Sequence, residues 1–251
     1  MSGTTRRVDF LIAGAQKSGT TALDDYLRRH PEICMADRKE LHFFDDEQQF
    51  ARGEPDYEAY HRHFQPTRER QRLGEATPIY MFWDPAPERI RSYNPDIKLI
   101  IVLRNPITRA FSHWHMERGR GREPLEFSDA IRAEEIRLQE GQPDALRTFS
   151  YAARGFYSRQ IRRLWSLFPR NQTLVLKSEM LRERHRDALR LIERFLALEP
   201  FPDTGALTSF VQDYSAGMVE RDWFFLRDTF RQEIRDIEDL LGWDCADWLY
   251  R

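Results

Sequence analysis

The run VDFLIAGAQKSGTT, from Val8 to Thr21, sets an apolar stretch directly against Gly14, Lys17, Gly19 and a cluster of hydroxyls. Those residue types bind anions: glycines let backbone N–H groups turn toward one point, Lys17 adds a point charge, and Ser18, Thr20 and Thr21 add donors where a helix starts. Lys17 precedes Gly19, whereas the nucleotide loop G-x-x-x-x-G-K-[ST] places its lysine after the second glycine, so the match to that loop is poor. A second anion signature follows the run LIIVL, with Arg104, Asn105, Pro106, Arg109 and Ser112 in LRNPITRAFSHW. Pro106 suits the first position of a helix, where its missing N–H needs no partner, and Arg109 and Ser112 then lie one turn apart on one face. Arg104 and Ser112 could converge on one phosphate.

The elements that must position these residues follow from the apolar pattern. Apolar runs bounded by polar turns predict parallel strands over Asp9–Ala13, Lys98–Leu103 and Thr173–Leu176, with a weaker one at Arg72–Glu75. Helical patterns lie between them at Thr21–Arg29, Ile107–Arg118, Phe127–Gln139, Ser158–Phe168 and His185–Leu198. In the last, Leu189, Ile192, Phe195 and Leu196 return to one face while Arg and Glu cover the other. Leu41–Arg72 reads as irregular and rich in charge and aromatics, and Pro200–Arg221 as a loop region before a closing helix at Phe224–Leu241. Strands alternating with helices form a parallel sheet with crossover helices, and ligands sit beyond the carboxyl ends of such strands. Lys17 and Arg104 both fall at such ends.

With 251 residues, 41% of them hydrophobic, the chain can bury the core of a single domain spanning 1–251. A formal net charge of −2, from 39 basic and 41 acidic side chains, argues against a nucleic-acid partner or a polybasic membrane binder, so any anion site is local. Cys34 and Cys245 are far apart and form neither a C-x-x-C zinc spacing nor a disulfide framework, which suits a reduced, cytoplasmic setting. The first apolar run, Phe10–Ala13, is too short for a signal peptide or a membrane span, so a soluble protein with no integral membrane segment is expected. No metal-ligand cluster is evident.

Five segments carry a family resemblance. The QKSGTT loop is similar to the 5′-phosphosulfate loop of sulfotransferases that use 3′-phosphoadenosine 5′-phosphosulfate (PAPS), and RNPITRAFS matches their 3′-phosphate strand, R-[DN]-P-x-x-R-x-x-S. KELHFFDDE, Lys39–Glu47, resembles the K-E-x-H-F-F motif of the heparan sulfate and related carbohydrate sulfotransferases. GEATPIY, Gly74–Tyr80, resembles their G-E-x-[ST]-P-x-Y strand, and RGFY, Arg154–Tyr157, resembles the R-G-x-Y that begins the helix beside the 3′-phosphate. The resemblance implies an α/β fold, a P-loop-like three-layer α/β/α arrangement around a central parallel sheet. It implies that Gln16, Lys17, Ser18, Gly19, Thr20 and Thr21 hold the 5′-phosphosulfate and that Arg104, Ser112 and Tyr157 hold the 3′-phosphate, with Arg109 in support.

The same resemblance makes Glu75 the general base and Lys17 the stabiliser of the leaving group. His42 is the alternative base, or a histidine packed beside Phe43 and Phe44. Lys39, Glu40, His42, Tyr80, Trp83 and His113 are expected to meet the acceptor, with Phe82 and Trp114 nearby. The arginines from Arg118 to Arg122 either receive an anionic acceptor or form a solvated helix end. Two departures stand out: Ala76 occupies a position that is lysine in several animal heparan sulfate enzymes, and only Gly217 and Arg221 stand where relatives carry a basic loop over the cofactor.

Sulfuryl transfer needs an aligned acceptor, a group that takes its proton, and positive charge at the leaving oxygen. A sulfuryl group carries less charge than a phosphoryl group, so a cationic loop can suffice without a metal. The expected activity is transfer from PAPS to a hydroxyl or amine of an oligosaccharide or glycolipid, releasing adenosine 3′,5′-bisphosphate (PAP); a small-molecule natural-product hydroxyl is the alternative acceptor. Two other classes stay open: a nucleotide-dependent phosphotransferase, which would need a magnesium ligand and a lysine after the loop glycine, and a noncatalytic PAPS-binding protein.

Overall fold

The structure, a computed structural model, describes residues 6–51, 53–141, 144–202, 205 and 217–250. Five parallel strands, β1 (Phe10–Gly14), β2 (Ile33–Met35), β3 (Arg72–Ala76), β4 (Lys98–Leu103) and β5 (Thr173–Lys177), form one sheet in the order β2-β3-β1-β4-β5. The helices are α1 (Thr20–Leu27), α2 (Glu47–Ala51), α3 (Tyr57–His61), α4 (Ala86–Tyr93), α5 (Pro106–Gly119), α6 (Phe127–Gln139), α7 (Ala145–Phe149), α8 (Tyr157–Leu167), α9 (Ser178–Glu183), α10 (His185–Leu196) and α11 (Glu220–Leu241). This is the expected α/β architecture, a parallel sheet flanked by helices.

Contacts divide the chain into two compact units, Met1–Leu103 with Arg163–Phe210 and Arg104–Arg162 with Val211–Arg251. The first unit holds the whole sheet. Its strands read as continuous apolar runs because both of their faces are covered. On one face Phe10, Ile12, Ile100, Val102 and Leu176 pack with Leu23, Tyr26 and Leu27 of α1 and with Ala188, Leu189, Ile192 and Leu196 of α10. Leu11, Leu99, Ile101 and Leu103, which alternate with them, are equally buried. β1 lies centrally, paired with β3 (Leu11↔Glu75) and with β4 (Ile12↔Ile100), so the loop after it leaves from the middle of the carboxyl edge. The second unit is helical, built on α5, α6 and α11, with the unit boundary falling inside α8.

Several expectations shift. The short helices α2 and α3 lie where irregular chain was expected, and β2 where no element was expected; α3 is fixed by Asp56, whose side chain accepts from Ala59 N–H at 2.8 Å. α10 stops at Leu196, short of the expected Leu198, because Ala197 turns into left-handed backbone. α11 begins at Glu220, ahead of the expected Phe224, with Glu220 and Asp222 in its first turn, where acids favour the helix N-terminus. Arg221 therefore sits on a helix. Of the expected 200–221 loop, residues 203, 204 and 206–216 lie outside the described residues.

Candidate active site

Every strand of the first unit points its carboxyl end at the same edge, and two segments collect there. The first is the turn Ala15–Gly19. Ala15 N–H donates to Val102 O at 2.8 Å, tying the turn to β4, and Gly19 begins α1 at φ 94, a conformation that favours glycine. A Cβ on Gly14 would meet Met81 Sδ at 1.9 Å, so the chain enters this turn where a side chain has no room. Gly19 gives α1 no side-chain cap, and the buried Ser18 Oγ has no hydrogen-bond partner among the described residues. An oxyanion supplies what these donors lack, so the residues present fit a phosphosulfate group. Gln16 and Lys17 are half-buried in the turn, Thr20 is buried and Thr21 is exposed.

The second segment is Lys39–Asp45, anchored by Glu40 N–H donating to Ala76 O at the end of β3, 2.9 Å away. Lys39 Nζ lies 2.7 Å from Glu40 Oε1, and His42 Nδ1 lies 2.9 Å from Asp45 Oδ2. His42 Nε2 is 3.7 Å from Glu40 Oε2, too far for a hydrogen bond but close enough for electrostatic attraction. Burial alone would raise the Glu40 carboxyl; the adjacent imidazolium and the Lys39 ammonium outweigh it and hold it down to about 2. The Asp45 hydrogen bond, with Glu40 adding to it, pushes His42 up to about 9 against its partial burial. At neutral pH the segment therefore presents an ionised Glu40 and a charged His42, with side chains 31% and 45% exposed. His42 is not packed away, and as an imidazolium it has no lone pair with which to accept a proton.

Lys17 (φ 68), Glu40 (φ 63) and His42 (φ 57) share a further property: with Ala197 they are the non-glycine residues in left-handed backbone among the described residues. Such conformations persist where surrounding structure fixes them, and they gather at functional sites.

Glu75 is placed differently from its expected role. It is 0% exposed, and its two carboxylate oxygens accept hydroxyl donors from Thr77 (2.6 Å), Tyr80 (2.7 Å) and Tyr60. Burial pushes its carboxyl up, against the three hydroxyls that favour the ionised form. Both of its oxygens are thus occupied and closed off from solvent. The Tyr80 oxygen also accepts from Phe43 N–H at 3.1 Å, which ties Glu75 to the backbone that follows His42. Tyr60 was hidden in the stretch read as irregular, with no motif to mark it, whereas Asp45 stood in the HFFD run, three residues after His42.

The expected acceptor wall is also revised. Tyr80 and His113 are 0% exposed. Trp83 is nearly buried and donates its indole N–H to Glu47 at 2.7 Å, and Trp114 donates to Leu125 O. The Arg118–Arg122 run is spent internally: Arg118 pairs with Glu126, while Arg120 and Arg122 both pair with the buried Glu117. The run closes α5 with its arginine side chains paired yet still partly exposed.

In the second unit, Asn105 accepts from Ile107 N–H at 2.9 Å and caps α5, with Pro106 as its first residue. Arg104 precedes the helix, half-buried, with Nε donating to Thr108 Oγ1 at 3.0 Å, and Ser112 is buried within it. Tyr157 OH donates to Arg104 O at 2.9 Å, so this ring holds the Arg104 backbone. Among the described residues no group of three His, Cys, Asp or Glu side chains is arranged to hold a metal ion, and no helix is long and apolar enough to cross a membrane.

A parallel α/β sheet with a donor-rich turn after its central strand, and a carboxylate–imidazolium pair on the same edge, gathers charged and donor groups at the carboxyl ends of its strands, where such folds take their ligands. Comparison with known proteins gives the family: a family model described as "Sulfotransferase domain" matches residues 7–237, and the chain belongs to the sulfotransferases. A crystal structure of a sulfotransferase from Alicyclobacillus acidocaldarius superposes with a TM-score of 0.82 at 30% identity, covering 98% of this chain and 100% of that one. Heparan sulfate glucosamine 3-O-sulfotransferase 5 of Mus musculus is 29% identical over 191 residues, 76% of this chain and 53% of its own length. The bifunctional heparan sulfate N-deacetylase/N-sulfotransferase 2 of Bos taurus is 30% identical over 200 residues, 76% of this chain and 22% of its own length. The chain thus spans about half the length of the first of these relatives, and less of the second.

Proposed function

We propose that this protein transfers a sulfuryl group from PAPS to a hydroxyl or amine of a carbohydrate, releasing PAP. The observation that carries the reading is the pairing, on one sheet edge, of the left-handed Lys17 turn with the left-handed Glu40–His42 segment. Names of relatives that act on heparan sulfate support a glycosaminoglycan-like acceptor; one modifies an oxygen and another a nitrogen, so the acceptor atom is left as either.

Gln16, Ser18, Thr20, Thr21 and the backbone N–H groups at Gly19 hold the 5′-phosphosulfate, and Lys17 places its charge on the leaving oxygen. Arg104 and Ser112 hold the 3′-phosphate. PAPS, when bound, supplies a sulfuryl group attached to a phosphate that departs readily. Glu40 takes over the base role first assigned to Glu75: it is ionised, partly exposed and fixed by backbone to the end of β3. Its low basicity in the empty site comes from Lys39 and His42, so an anion that draws Lys39 away makes Glu40 a stronger base as the acceptor arrives. Lys39 and His42 then meet the acceptor's anionic groups. Tyr80 and Trp83 support the fold beside these residues, and His113 is packed inside the second unit.

The first test is calorimetric titration with PAP, ATP and ADP in EDTA, followed by PAPS-dependent sulfation of desulfated oligosaccharides. Selective PAP binding and labelled sugar are expected. A magnesium-dependent preference for ATP would overturn the reading, and PAP binding without transfer to any sugar would leave a different acceptor class or a binding module.

A further inference from the structure

The second unit contains a set of buried ionisable groups that the reaction above does not use. They surround the turn leading into α8. Glu134, from α6, accepts from two consecutive backbone donors, Ala152 N–H at 2.6 Å and Ala153 N–H at 2.8 Å. Arg109, from α5, donates from Nη2 to Tyr151 O, and the Tyr151 hydroxyl donates to Glu123 at 2.7 Å. Arg154 turns back onto Ser150 Oγ at 2.7 Å and Arg147 O at 2.8 Å. On the far side, Ser158 gives both its N–H (2.7 Å) and its hydroxyl (2.9 Å) to Glu233 of α11. Between these anchors a Cβ on Gly155 would lie 2.6 Å from the Phe230 ring, so the turn passes where a side chain does not fit.

We propose that Glu134 is a positioning residue for recognition of the donor's 3′-phosphate: it fixes the turn at Ala152 and Ala153, which sets Tyr157, whose hydroxyl in turn holds the backbone of Arg104. The proposal rests on the reading that Arg104 and Ser112 hold that phosphate. A carboxylate is the group this position needs. Its two oxygens accept both N–H donors at once, whereas an amide would turn an NH2 toward one of them. It is also the counter-charge for two buried guanidiniums: Arg109 is 0% exposed and Arg154 nearly so, and both act on Glu134. Burial pushes Glu134 up to about 7 despite these partners, which marks how completely the site is withdrawn from water. Removing its charge leaves Arg109 and Arg154 with less counter-charge, Glu117 remaining beside Arg154, and unties Ala152 and Ala153, so the turn is free to move.

The experiment compares Kd for PAP with Kd for adenosine 5′-phosphate, which lacks the 3′-phosphate, in wild-type protein, Glu134→Gln and Tyr157→Phe. Wild type is expected to prefer PAP, and Glu134→Gln to cut that preference on the order of tenfold, with affinity for adenosine 5′-phosphate nearly unchanged and KM for PAPS raised more than kcat is lowered. Tyr157→Phe should reproduce the loss, and the double variant should lose little more than either single one. If wild type shows no preference, the 3′-phosphate reading falls and this proposal with it. If wild type prefers PAP and Glu134→Gln keeps the preference, or loses both ligands equally, the role of Glu134 is refuted while the reading of Arg104 stands. Should Glu134→Gln fail to fold, Tyr157→Phe decides: an unchanged preference refutes the relay.

Discussion

Glu40 and Glu75 are tied to the end of the same strand, yet their surroundings give them opposite properties. Glu75 lies within β3, closed off from water and ringed by three hydroxyls. Glu40 only touches the strand through its backbone N–H, and its carboxylate stands in a partly exposed, cationic setting. Burial pushes one carboxyl up, and neighbouring charges hold the other down. The difference teaches that a glutamate in a family motif takes its role from access and partners, and that a buried acid can serve a site by holding the chain around it.

Glu40→Gln gives the sharpest test of that contrast. It should lower kcat by about 10²–10⁴-fold, measured with saturating PAPS, and lower Tm modestly because Lys39 and His42 lose their charged partner. Lys17→Ala is expected to cost about 10²–10³-fold in kcat and to weaken PAP binding as well, read by kinetics and calorimetry on the same sample. Glu75→Gln should act on stability: replacing one accepting oxygen by an NH2 among three hydroxyls costs about 1–3 kcal/mol, seen in urea unfolding, with kcat kept within a few-fold. The contrast breaks if Glu75→Gln abolishes turnover at unchanged stability while Glu40→Gln turns over normally.

The smallest expected effect is in the pH profile. His42 is raised from 6.5 to about 9, so its charged partnership is fully present below pH 6.5 and is lost as pH rises through about 9. Glu40 is lowered from 4.5 to about 2, so its contribution is fully present above pH 4.5 and is lost as pH falls through about 2. Stability should therefore fall steadily from about pH 6.5 to about pH 9, a decline that His42→Asn removes, whereas a His42-dependent change in kcat should set in only near pH 9. A decline that persists in His42→Asn assigns it to another group.

Much of this was legible in the chain. β4 runs over the residues expected of it, Lys98–Leu103, because a continuous apolar run bounded by charge has one placement, between neighbours that cover both faces. α6 likewise keeps its expected ends. β2 was missed because three residues carry too little pattern to read. α4 was missed because PAPERI looks like a break, although prolines at a helix start leave no hydrogen bond unmade. The motifs located both carboxylates, but choosing between them needs solvent access, which sequence does not carry. One sign was present: Glu75 is flanked by Leu73, Gly74 and Ala76 inside a parallel strand, and such strands are covered on both faces.

The left-handed backbone at Lys17, Glu40 and His42 has a consequence for how this protein can change. Each side chain there costs about 1–2 kcal/mol that a glycine would avoid. Glu40 and His42 offset that strain through charged partners, so under selection for heat resistance alone their replacement by glycine wins back little. A glycine at Lys17 that did win heat resistance would remove a charge from the sheet edge, and such a hardier descendant of this chain would give up that charge before it lost its shape.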